Sequence, residues 1–250
     1  VTTAKLELAY RNYQEATLKL PKSLRQKASA PLLIVPHQKW RRSNVRLLIV
    51  GQETLGWGFT SETNSGTGPS ICNLQQFACA VGGVQAMFYA YKKFNFAESY
   101  RHRNSAFWRA FRFLEQNINT RHCSAMWTNL FKVDVGGSVM RNCNKKERSL
   151  LSNAQNGLLQ LEIAALKPNV VIFFTGPDYD RELYSAFPDL TLERLWRGVA
   201  SREMASVCSK SLPLCAIRTY HPSYLQRSRR GHLLRRLARW ARAHGGLNLQ

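Results

Sequence analysis

Apolar residues follow two rhythms along this chain. Four short continuous runs, at 46–50, 125–130, 170–175 and 214–218, each give way to polar residues or glycine. Runs of that length without alternation predict strands buried on both faces, as in a parallel sheet. Between them the spacing becomes helical over 71–93, 105–117 and 146–166, and Pro168 follows the last of these. Residues 2–20 carry Leu6, Ala9, Tyr10, Tyr13, Ala16 and Leu20 at helical intervals until Pro21 stops the segment. Residues 231–244 place Leu233, Leu234, Leu237 and Trp240 on one face, with Arg235, Arg236, Arg239 and Arg242 elsewhere. The basic, proline-punctuated stretch 22–44 reads as a loop. Strand alternating with helix predicts an α/β fold: a three-layer α/β/α sandwich with a central four-stranded parallel sheet. Residues 1–44 are expected to form an N-terminal helix and basic loop packed on the core, and 45–250 the main domain.

Composition narrows the class. At 250 residues and 44% apolar, the chain can build one sizeable core and is not a disordered tail. No apolar run approaches the length of a membrane span, so no membrane partner is expected. The six cysteines form no CxxC pair and no signal peptide opens the chain, which predicts a cytoplasmic protein without a disulfide framework. Lys and Arg number 36 against 15 Asp and Glu, a net charge of +21. An excess of that size points to a polyanionic partner, nucleic acid above all.

Ligands gather at the carboxyl ends of strands in such a sheet, so the strand ends are where chemistry is sought. The first run leads into Gly51-Gln52-Glu53-Thr54-Leu55-Gly56-Trp57-Gly58-Phe59-Thr60, the second into Thr128-Asn129-Leu130-Phe131-Lys132. The third ends Thr175-Gly176-Pro177-Asp178, the fourth Thr219-Tyr220-His221-Pro222-Ser223-Tyr224-Leu225-Gln226-Arg227. Taken alone, each has an ordinary reading: a βα turn, a buried amide satisfied by backbone, a plain turn, a histidine capping a loop.

Taken in order, the set resembles the uracil-DNA glycosylase superfamily. The segment 51–56 is similar to the family's GQDPYH motif, Gly68-Pro69-Ser70 to its PPS loop, and His221-Pro222-Ser223 to its HPS motif. TNLFK around Asn129 and TYHPS around His221 are closer to the family's thermostable iron–sulfur branch. The resemblance spans about residues 45–244 and makes 45–250 a glycosylase-like catalytic domain.

It implies roles residue by residue. Glu53, standing where the family has Asp or Asn, would orient the attacking water and stabilise the cationic sugar. His221 would donate a hydrogen bond to the carbonyl oxygen of the departing base. Phe59 would stack on the flipped base, Asn129 would read its Watson–Crick edge, and Gln52 would help line the pocket. Leu225 would wedge into the base stack with Tyr224 assisting. Pro69, Ser70, Gly176, Ser223 and Arg227 would hold the phosphates.

Two departures shape the expectation. Leu55 replaces the Tyr that rejects a 5-methyl group in the uracil-specific branch, so a 5-modified pyrimidine is the expected base, suited to anti-phage defence as well as repair. The first 71 residues contain no cysteine and Val133 stands where a cluster ligand would follow TNLFK, so neither iron–sulfur cluster nor other metal or cofactor is expected. The expected protein is thus a monomeric, monofunctional DNA glycosylase of the cytoplasm, associated with the nucleoid if bacterial. The alternatives are an ordinary uracil-DNA glycosylase, a catalytically silent DNA-binding module of the same fold, and a nucleotide-binding α/β protein.

Overall fold

The structure of the chain, a computed structural model, describes residues 2–57, 71–96, 104–118, 122 and 124–245. By its contacts the chain divides into two compact units, each assembled from three separate stretches. The first comprises Val1–Val35, Glu53–Phe94 and Thr128–Ala165, the second Pro36–Gln52, Asn95–Trp127 and Leu166–Gln250.

The second unit carries the sheet. Its strands are β1 (Leu47–Gly51), β2 (Met126–Asn129), β3 (Val170–Phe173), β4 (Thr191–Arg194), β5 (Met204–Cys208) and β6 (Cys215–Thr219), in the order β2-β1-β3-β6-β5-β4. The last two residues of β2 fall in the first unit. All four apolar runs became strands, within two residues of their expected limits. In the centre, β1, β3 and β6 are parallel and buried throughout. Their register aligns Ile49, Ile172 and Ile217 in one row, each with no exposure. Full burial of such a side chain contributes about 1.5–3 kcal/mol.

The expected four-stranded parallel sheet needs correction, since among the described residues the sheet has six strands and is mixed. β5 runs antiparallel to β6, and β4 antiparallel to β5. Neither has the continuous apolar run of a central strand. Most of β4 is exposed, with the burial of an edge strand, and β5 has an intermediate Ser206 and an exposed Cys208 among buried neighbours.

The helices of this unit are α3 (Gln38–Arg41), α6 (Ala106–Asn117), α9 (Asp180–Ala186), α10 (Pro222–Arg227) and α11 (His232–His244). Ser105 caps α6 by accepting from the Trp108 amide, satisfying one of the amides a helix start leaves open. Both α10 and α11 pack on α6, and α11 buries Leu233, Leu237, Ala238 and Ala241.

The first unit is helical: α1 (Thr2–Leu18), α2 (Lys22–Lys27), α4 (Leu74–Cys79), α5 (Gly83–Asn95), α7 (Lys145–Ala154) and α8 (Leu158–Leu166). Two segments expected as single helices are each broken in two. The 71–93 segment stops at Cys79 and restarts at Gly83, with Gly82 at φ +76° in between. Gln14 of α1 stabilises that break, its Nε2 donating to the Phe77 and Ala80 carbonyls at 2.6 and 3.0 Å. The 146–166 segment breaks before Gly157, at φ +77°. That leaves Gln155 free of helix geometry, and its side chain donates to the Leu130 carbonyl and accepts from the Lys132 amide. The stretch 22–44, expected as loop, holds α2 and α3.

Candidate active site

In the second unit, β1, β3 and β6 lie side by side and parallel, so their carboxyl ends emerge together. They deliver Gln52, Gly176 and His221. Gln52 Nε2 donates to the Thr175 carbonyl at 2.8 Å, and the Gly176 amide donates to the Thr219 carbonyl at 3.0 Å. Gly176 adopts φ +70° with ψ 171°, a conformation essentially confined to glycine. A Cβ there would also stand 3.5 Å from the Tyr220 ring.

His221 sits at the N-terminus of α10. Its Nδ1 accepts from the Ser223 amide at 3.3 Å and lies 2.7 Å from Ser223 Oγ. A backbone amide can only donate, so Nδ1 is the acceptor and the neutral ring carries its proton on Nε2. That Nε2–H has no hydrogen-bond partner among the described residues. The imidazole stacks at 6.0 Å and 18° on Phe107 of α6, which also packs edge-on to Trp127 and Phe174. Burial in this aromatic setting, with the Arg227 charge adding to it, lowers the His221 pKa to about 4. The histidine is therefore both a cap, through Nδ1, and a fixed donor, through Nε2. The loop-cap reading and the catalytic reading use different atoms of one ring.

Along α10, Ser223 is half-buried, while Tyr224 is 40% exposed and packs tilted against Tyr220, ring centroids 4.3 Å apart at 36°. Arg227 is exposed. Leu225, expected as an intercalating wedge, is instead fully buried on the inner side of α10. Tyr224, Gln226 and Arg227 are what this turn presents outward.

In the first unit lie Glu53, Leu55 and Asn129. Glu53 is half-buried and Leu55 is 69% exposed. Asn129 ends β2 with 1% exposure. Its carbonyl accepts from Lys132 Nζ at 2.9 Å. Lys132 is itself fully buried, bonded to Glu162 Oε2 at 2.6 Å and to Thr128 Oγ1 at 2.8 Å. Glu162 Oε1 accepts from the Tyr10 hydroxyl at 2.7 Å, so α1, α8 and the end of β2 share one polar network. Burial pushes the Lys132 ammonium below its ordinary pKa, opposed by Glu162, and burial beside Glu162 pushes the Tyr10 phenol well up.

The segment carrying Glu53 is anchored by Asp134, a residue that motif reading passed over. Asp134 Oδ2 accepts from Thr54 Oγ1 and from the Gly56 amide, both at 2.8 Å. Its only signal in the sequence is Asp before Gly136-Gly137, a turn pairing. Trp57 lies edge-on to Phe94 at 5.2 Å in the same unit.

Phe59, Pro69 and Ser70, expected to stack on the base and hold phosphate, lie outside the described residues. Among the described residues, no helix is long and apolar enough to cross a membrane, and no group of three or more His, Cys, Asp and Glu is set to hold a metal ion. No protein-family model matches the chain, and no curated protein matches it.

Proposed function

We propose that this protein is a monofunctional DNA glycosylase that hydrolyses the N-glycosidic bond of a flipped-out pyrimidine and leaves an abasic site. The reading rests on the resemblance of four ordered strand-end motifs, with a three-layer α/β/α arrangement as the implied framework. The observation that carries it is His221. A neutral imidazole with its proton held on Nε2 suits donation to the carbonyl oxygen of a departing base, where negative charge develops. Glu53 stabilises the opposite charge, on the sugar, and orients water for attack. Asn129 pairs with the base edge, and its orientation decides between uracil-like and cytosine-like patterns.

No lyase step is proposed, because Lys132, the lysine of the strand-end motifs, is not placed for one. A Schiff base needs an accessible, unprotonated amine, whereas this ammonium is fully buried against Glu162. Leu55 is exposed and stands where the uracil-specific branch carries the Tyr that rejects a 5-methyl group, so on that resemblance a 5-modified pyrimidine is the proposed substrate. Such a substrate suits defence against phages with modified DNA. The arginines of α10 and α11 supply phosphate contacts, and the proposed setting is the cytoplasm.

Base release from duplex and single-stranded DNA containing uracil, 5-hydroxymethyl or glucosylated pyrimidines tests the proposal. Release of a substituted base, reduced on the order of 10²-fold or more in Glu53→Ala and His221→Ala, is the expected outcome. Release of uracil alone keeps the glycosylase and discards the open pocket, as does a Leu55→Tyr variant that still acts on 5-substituted bases. Tight DNA binding without release from any substrate overturns the enzyme in favour of a silent binding module.

A further inference from the structure

Residues 54–57 are held by an arrangement that none of the strand-end motifs contains. The Asp134 amide donates to Ser29 Oγ at 3.1 Å, and Ser29 Oγ lies 3.0 Å from Thr54 Oγ1. Thr54 Oγ1 in turn donates to Asp134 Oδ2 at 2.8 Å. Each hydroxyl has one proton: Thr54 gives its own to the carboxylate, and Ser29 has one to share between Thr54 Oγ1 and the Ala30 carbonyl, 3.1 Å away. The three residues therefore form one buried polar cluster in which the Asp134 backbone reaches Ser29 and the Asp134 side chain holds Thr54.

Further bonds brace the cluster. Asp134 Oδ2 also accepts from the Gly56 amide, and Oδ1 accepts from the Gly137 amide, each at 2.8 Å. The Ser29 amide donates to the Asp134 carbonyl at 2.9 Å, and the Ala30 amide to the Trp57 carbonyl at 3.1 Å. Ser29, Thr54 and Asp134 are 7%, 3% and 1% exposed, so these bonds compete little with water. Pinning Thr54 inward leaves its neighbours Glu53 half-buried and Leu55 exposed.

We infer that Asp134 is a positioning residue, holding through Thr54 and Gly56 the segment that presents Glu53 and Leu55. The role rests on the glycosylase reading given above, since it is the carboxylate of Glu53 whose placement matters there. A water-orienting carboxylate must be held to within about half an ångström, and a misplacement near 1 Å costs on the order of 10²-fold in rate. A carboxylate accepting from a side chain and from two amides of separate turns is suited to that precision, whereas a single turn bond is not. Thr54 must then be a hydroxyl residue, and position 134 must offer acceptors only. Asn at 134 would turn an NH2 group toward at least one donor.

Thr54→Val, Thr54→Ser and Asp134→Asn test this, alone and in a Glu53→Ala background, with base release, DNA affinity and melting temperature recorded for each. Thr54→Val should lower kcat by about 10- to 100-fold with little change in KM or DNA affinity, and Thr54→Ser should restore most of it. Asp134→Asn should do the same or more. In the Glu53→Ala background neither substitution should lower the remaining rate further, because the group they position is gone. Equal losses with and without Glu53, or a Thr54→Val enzyme that melts normally and keeps its kcat, overturn the positioning role while leaving the glycosylase reading in place. A wild-type protein that releases no base overturns both. If Asp134→Asn fails to fold, the Thr54 pair carries the test by itself.

Discussion

At the scale of single residues, His221 makes a prediction about acid. Its pKa is lowered from the ordinary 6.5 to about 4 by burial and the nearby Arg227 charge. The unfolded chain therefore takes up this proton first as pH falls. Stability contributed by the neutral buried ring is fully present above about pH 6.5 and is lost as pH falls toward 4. At pH 5 the loss should be about 2 kcal/mol relative to pH 7.5, and His221→Gln should remove that component from the pH dependence. Chemical denaturation of both proteins at the two pH values measures it, and equal pH dependence in the two would contradict the burial of a neutral imidazole. Under the proposed function, catalysis would follow the same group. Because the ring stays neutral until about pH 4, the base-release rate should show no acid limb from His221 between pH 5 and 8. The position of His221 after a strand was legible in the sequence. The identity of the atom on each side of the ring was not, because it depends on how α10 starts and on Phe107, a residue that pattern assigns to the apolar face of a helix.

At the scale of elements, what sequence periodicity sees is burial along one segment, and that explains both its successes and its misses. The central strands β1, β3 and β6 are buried on both faces, so their composition alone marks them. The edge strand β4 is mostly exposed and carries no such mark. The breaks between α4 and α5 and between α7 and α8 arise from side chains that meet carbonyls far along the chain, such as Gln14 with Phe77 and Ala80. Asp134 was hidden for the same reason, its partners lying 80 and 105 positions away. The Lys132–Glu162 pair ties α8 to the end of β2 and gives a stability prediction at this scale. Lys132→Met leaves the Glu162 carboxylate buried without its ammonium and should cost about 3–5 kcal/mol. The double substitution Lys132→Met with Glu162→Leu removes both charges and should cost distinctly less than the single one. A double-mutant cycle by urea denaturation measures the coupling, and additive losses would show that the pair is energetically indifferent.

For the molecule as a whole, the charge of +21 raises the question of whether the proposed DNA affinity would come from the overall field or from a localised surface. The two give different salt dependences. A localised surface releases counterions from the phosphates it touches, so log K falls with log salt at about 0.9 per contacted phosphate. The exposed arginines of α11 are the candidates: Arg235, Arg239 and Arg242 face solvent, whereas Arg236 lies 4.2 Å over the Trp196 ring. From 218 to 250 the chain has eight arginines and neither Asp nor Glu. Replacing Arg235, Arg239 and Arg242 together by Ala lowers the net charge from +21 to +18, that is 21 − 3. So does replacing the exposed Lys5, Lys19 and Lys22 of the first unit. If affinity came from net charge alone, the two triple variants would bind duplex DNA alike at every salt concentration. A phosphate-contacting α11 instead predicts that only the arginine triple loses slope, by up to about 3 in the log–log plot, while the lysine triple keeps the wild-type slope. Fluorescence anisotropy over about 50–300 mM salt, within the range where this linkage is usually read, separates the two. Equal slopes would assign the basic excess to the field of the molecule and remove α11 from the DNA-binding surface.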